Sequence, residues 1–89
     1  MKNTAINIIE AIINYLNNDD NSKDVNEVKE YIRKHCRTEG GQLIPRRVLA
    51  MAVTRAIEHG ALFYKGDQLA VNEEKAVGFG RNGYKVVYL

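Results

Sequence analysis

The sequence predicts an α+β fold of the winged-helix type, a three-helix helix-turn-helix core followed by a C-terminal β-hairpin wing. Three observations lead there: apolar residues recur at three- and four-residue spacing in three stretches, the periodicity turns strand-like after Gly60, and the basic residues collect in the middle of the chain. A chain of 89 residues suffices for one core, so a single domain spanning 1–89 is expected, with no room for a separate substrate domain.

The first helix reads from Asn3 and Thr4, which can cap it, through the stripe Ala5, Ile8, Ile9, Ile12 and Leu16. Ile6 and Ile13 widen that stripe, so neighbours are expected on more than one side. The polar run Asn17 to Ser22 is expected to be a loop, because its side chains bond their own backbone. Asp24 and Glu27 have the form of a capping box opening a second helix, whose buried stripe is Val25, Val28, Ile32 and Cys36. Lys29, Arg33 and Arg37 fall on another face at four-residue spacing.

Gly40-Gly41 ends that helix, Gln42 to Ile44 reads as a short extended piece, and Pro45 suits the start of a third helix. Its buried stripe is Val48, Leu49, Ala52, Val53, Ala56 and Ile57, and Gly60 is the C-terminal stop. The opposite face holds Arg47, Met51, Thr54, Arg55 and Glu58. Ala61 to Lys65 then reads as a strand, Gly66-Asp67 as a tight turn, Leu69 to Val71 as a return, and Tyr84 to Leu89 as a final strand beyond a long polar wing.

Composition is globular, with 45% hydrophobic and 27% charged residues, away from the profile of disordered chains. No apolar run approaches the roughly 20 residues of a membrane span, and the start does not read as a signal peptide, so a soluble intracellular protein is expected. Cys36 is the single cysteine, which rules out an internal disulfide; with His35 and His59 it makes too small a set for a closed zinc site. No metal and no cofactor are expected. Neither histidine has a serine or carboxylate expected beside it, so no enzyme is read here.

The net charge of +2 is uninformative, but its distribution is not. Met1 to Val28 carries two lysines against five acids, Lys29 to Arg55 carries seven basic residues against Glu30 and Glu39, and the remainder balances. A basic middle segment is how a one-faced electrostatic footprint looks in a sequence.

The residues resemble the globular domain of linker histones across nearly the whole chain. Val25-Asn26-Glu27-Val28-Lys29-Glu30-Tyr31-Ile32 is similar to that family's second helix, Gly60-Ala61-Leu62 to the turn closing its third, and Lys65-Gly66 and Tyr84-Lys85-Val86 to its strands. The resemblance implies a nuclear, chromatin-associated module that binds double-stranded DNA with little regard to sequence. The chain departs from the family in having Ala50 and Ala52 where lysines are usual, acids at Asp67, Glu73 and Glu74, and a longer wing from Lys65 to Tyr84. Each lost cation removes a counterion-releasing contact, so weaker phosphate affinity follows.

The candidate DNA-contacting residues are Arg46, Arg47 and Arg55 on the third helix, Lys65, Arg81 and Lys85 on the wing, and Lys29 and Arg33 on the second helix. Gly78 to Gly83 matches G-x-G-x-x-G, but a strand follows where a dinucleotide site needs a helix, so it reads as a wing tip carrying Arg81. Tyr64, Tyr84 and Tyr88 read as core or cross-strand residues rather than stacking platforms. Two other functions compete: a winged-helix protein-interaction module of a chromatin or transcription complex, and a dimeric microbial or viral helix-turn-helix regulator. A monomer is expected over a homodimer. Asp67, Glu73 and Glu74 sharing the face of Arg47 and Arg55, or an exposed patch formed by Met51, Phe63 or Phe79, would favour a protein partner.

Overall fold

The computed structural model describes residues 4–18, 22–75 and 83–89. In chain order the elements are β1 (Ile6–Asn7), α1 (Ile8–Asn17), β2 (Ser22–Asp24), α2 (Val25–His35), β3 (Cys36–Thr38), α3 (Arg46–Glu58), β4 (Leu62–Lys65), β5 (Gln68–Val71) and β6 (Lys85–Tyr88). The strands form two antiparallel three-stranded sheets, β2-β5-β4 and β1-β6-β3.

Helix α1 is the element around which both sheets collect. Ile8, Ile9, Ala11, Ile12, Ile13 and Leu16 are all buried, and the helix touches α2, α3, β5 and β6. An apolar surface this wide needs cover on several sides, which explains why Ile13 accompanies the Ile9–Ile12–Leu16 stripe. The helix begins later than the sequence suggests. Its N-cap is the buried Asn7, whose Oδ1 accepts a hydrogen bond from the Ile9 N–H at 2.8 Å, and the residues before it run into β1. Thr4 lies outside the helix, and Asn3 falls outside the described residues.

Helix α2 starts as its capping sequence predicts, with Asp24 Oδ1 accepting from the Asn26 N–H at 2.8 Å. Glu27 instead faces Lys23 at 3.6 Å. The helix buries Val28 and Ile32, and Cys36, one turn on, is buried as the first residue of β3. Helix α3 follows N-cap Pro45 and buries Leu49, Ala52, Val53 and Ala56. It ends in a Schellman motif: the Ala61 N–H donates to the Ala56 carbonyl, the Gly60 N–H to that of Ile57, and Gly60 adopts φ +82°.

The winged-helix expectation is corrected by the strands. The anticipated strand at Gln42–Ile44 does not form, although Ile44 is fully buried; the third strand of the hairpin's sheet is β2, placed between α1 and α2. The hairpin closes over a two-residue turn, with Lys65 opposite Gln68 and Gly66 at φ +62°. The wing therefore does not run from Lys65 to Tyr84. The final strand leaves the hairpin altogether and becomes the central strand of the second sheet, pairing Val86 with Ile6 on one side and with Thr38 on the other. Two short strands, β1 and β3, satisfy both of its edges, and Val86 is fully buried between them. The fold is a small α+β arrangement of three helices and two antiparallel sheets.

Candidate nucleic-acid interface

Of the eight basic residues singled out from the sequence, the fold gives two, Arg33 and Arg46, a partner within the chain. Arg33 Nε donates to the Ile44 carbonyl at 2.9 Å, and Arg46 pairs with Glu30 at 3.0 Å. Arg37, expected to continue the same row, lies instead in β3; it donates to the carbonyls of Arg33 and Cys36, both at 2.8 Å, and so caps the end of α2. Lys29 is half-buried on α2. The row of cations at four-residue spacing is thus partly an internal brace.

Arg47 and Arg55 differ. Both are exposed on α3, together with Ala50, Met51, Thr54 and Glu58, and among the described residues neither has an acidic side chain within 4.0 Å. The first turn of α3 contains no acid, and its N-cap, a proline, supplies no side-chain acceptor to the free backbone N–H groups. The positive end of the helix dipole is therefore uncompensated by its own sequence. Strand β4 packs against α3 and brings exposed Lys65 to the hairpin end, with exposed Asp67 in the turn.

The structure does not bring Lys85 to this hairpin: it lies half-buried in β6, opposite Asn7, in the other sheet. Arg81, most of the Gly78–Gly83 motif and Phe79 lie outside the described residues. Glu73 and Glu74 are exposed in the turn after β5. Of the tyrosines, Tyr64 is exposed across from Leu69, Tyr84 is exposed just before β6, and Tyr88 is half-buried across from Cys36. Met51 (50%), Phe63 (44%) and Tyr64 (53%) are the exposed large apolar side chains of α3 and β4.

One constellation escaped the sequence reading. Tyr15 of α1 and Tyr31 of α2 stack with ring centroids 3.7 Å apart and planes 10° from parallel, and His35 lies 4.3 Å from Tyr31. Lys23 Nζ sits 5.7 Å from the Tyr15 ring. The four-residue spacing of Tyr31 and His35 is visible in the sequence, but their pairing with Tyr15 depends on how α1 crosses α2. These rings line an open groove of about 590 Å³, shared with Glu27, Glu30, Arg33, Lys34, Arg37 and Leu43.

Burial pushes the Cys36 thiol up to about 11, against a smaller opposing effect of the Arg37 charge. A thiol held protonated at neutral pH is a packing element rather than a nucleophile. Among the described residues, no three His, Cys, Asp or Glu side chains come together as a metal site, and no helix is long and apolar enough to cross a membrane. Compared with protein-family models, curated proteins and solved structures, the chain matches none.

Proposed function

We propose that the protein binds duplex DNA through the outer face of α3 and the adjoining β4–β5 hairpin, mainly by phosphate contacts. The observation that carries this reading is the pair Arg47 and Arg55, exposed two turns apart on one helix and unmatched by acids among the described residues. Between them stand Ala50, Met51 and Thr54, side chains that leave the helix slim enough to approach a groove. The acid-free N-terminal turn of α3 and Lys65 on the neighbouring hairpin add positive charge to the same two elements, offset in part by exposed Glu58 on α3 and Asp67 in the hairpin turn. Few cations are involved, so binding is weak, tolerant of sequence and strongly salt-dependent. A chromatin setting, which the resemblance to linker histones implies, is part of this proposal.

Fluorescence anisotropy of a labelled duplex of about 20 base pairs, titrated at several salt concentrations, tests it. Binding should fall with salt, Arg47→Ala and Arg55→Ala should each lower the log–log slope by about 0.9, and Arg47→Glu/Arg55→Glu should abolish it. No binding at low salt, or a slope that neither substitution changes, overturns the reading. A second reading, a protein-interaction module, draws on the exposed Met51, Phe63 and Tyr64, which give α3 and β4 an apolar surface beside the arginines. The titration separates the two, because duplex-independent behaviour at low salt leaves only the second.

A further inference from the structure

We infer that the groove along α2, between Tyr15 and Leu43, is a docking site for an acidic peptide segment that carries apolar residues among its carboxylates. The inference concerns a surface other than the α3 face and does not depend on the DNA reading.

Charge is the first argument. The groove's own two carboxylates are already matched, Glu27 by Lys23 at 3.6 Å and Glu30 by Arg46 at 3.0 Å. Arg33 and Arg37 donate to backbone carbonyls, which hold the guanidinium groups in place without cancelling their charge. Lys34 is exposed beside them, and among the described residues no carboxylate comes within 4.0 Å of Arg33, Lys34 or Arg37. The groove therefore presents three cations with no acidic counterpart, two of them preorganised. An anionic occupant gains the attraction without having to order those two side chains.

The aromatic geometry selects the kind of anion. Tyr31 has Tyr15 at 3.7 Å and His35 at 4.3 Å, and two rings this near cannot share one face, so both faces of Tyr31 are covered. Lys23 stands over the ring of Tyr15. What Tyr31 offers a ligand is therefore ring edge, not an open face. Single-stranded nucleic acid, which draws on bases stacked upon free aromatic faces, is poorly served by this arrangement. A peptide is better served: Leu43, 57% exposed in the loop before α3, gives an apolar side chain a contact beside the ring edges. The open form of the groove suits a chain segment laid along α2 rather than an enclosed small molecule.

The test is an NMR titration of the ¹⁵N-labelled full chain with three probes: a short peptide of Asp and Glu interspersed with Leu and Phe, an all-Asp peptide of equal length, and oligothymidylate. The mixed peptide should shift Tyr31, Lys34 and Leu43, and Lys34→Glu/Leu43→Ser should weaken it about tenfold, since both positions are exposed and the fold is retained. Arg47→Glu/Arg55→Glu should leave its affinity unchanged, which keeps this result distinct from the duplex titration. Absence of shifts at those residues overturns the inference, as does equal affinity for the all-Asp peptide or tighter binding of oligothymidylate at the same residues.

Discussion

Arg33 Nε and the carbonyl oxygen of Ile44 lie 2.9 Å apart, so a residue of α2 holds the loop that leads into α3. The bond joins a charged donor to the backbone of a fully buried residue, a combination worth more than an exposed pairing. Arg33→Met keeps the aliphatic stem but removes the donor, and is expected to destabilise by about 1–2 kcal/mol. Urea denaturation should show a lower midpoint at unchanged slope. Arg47→Met, on the exposed face of α3, should change stability by less than about 0.5 kcal/mol.

The Tyr15–Tyr31 stack should register as a coupling. Each ring is half-buried, so single substitutions to alanine mix lost burial with lost stacking. A double-mutant cycle removes the burial contribution and should return an interaction of about 0.5–1.5 kcal/mol. A coupling near zero would show that the rings merely sit side by side.

At Gly60 two causes of destabilisation can be told apart. Its φ is +82°, and an added Cβ would lie 3.0 Å from Lys75 Cδ. The lysine is a flexible side chain and can move, whereas the left-handed backbone is required by the Schellman bonds to Ala56 and Ile57. Gly60→Ala should therefore cost about 1–2 kcal/mol from backbone strain. Adding Lys75→Ala should recover little of that loss in thermal unfolding; near-complete recovery would assign the cost to the contact instead.

Much of this fold is legible locally. The apolar stripes, the Asp24 cap, the Gly60 stop and the Gly66-Asp67 turn each depend on residues a few positions apart, and the structure has them, except that Ala5 lies before α1 and Cys36 beyond α2. What the sequence hides is long-range pairing. Strand β1 has two residues and β3 three, too few to carry an alternation, and they exist because β6 arrives between them. Cys36 follows Val28 and Ile32 at four-residue spacing and reads as the end of a helical stripe, yet it is the first residue of β3, opposite Tyr88. The same limit applies to the surface. The arginines are visible as a basic segment, but only the fold distinguishes Arg33, bound to Ile44, and Arg46, paired with Glu30, from the exposed Arg47 and Arg55.

Cys36 gives stability a pH dependence whose sign follows from its raised pKa. Well below pH 9.0 the thiol is protonated in both folded and unfolded chains and contributes no slope. Above that value the unfolded chain releases its proton while the folded chain, with the thiol raised to about 11, retains it, so stability falls as pH climbs from 9.0 through about 11. Tyr88, opposite Cys36, acts in the same direction: burial raises its phenol above 10.0, opposed by the Asn14 hydrogen bond and supported by Cys36 and Tyr31. Denaturation midpoints from about pH 8 to about pH 10.5 should decline more steeply for the wild type than for Cys36→Ala, which lacks the thiol. Thiol-specific reagents should label Cys36 in the unfolded chain and leave the native protein unmodified at about pH 8, since the buried group supplies almost no thiolate. Equal pH slopes in the two proteins, or fast labelling of the native form, would show that the thiol is more open to solvent than its packing in β3 implies.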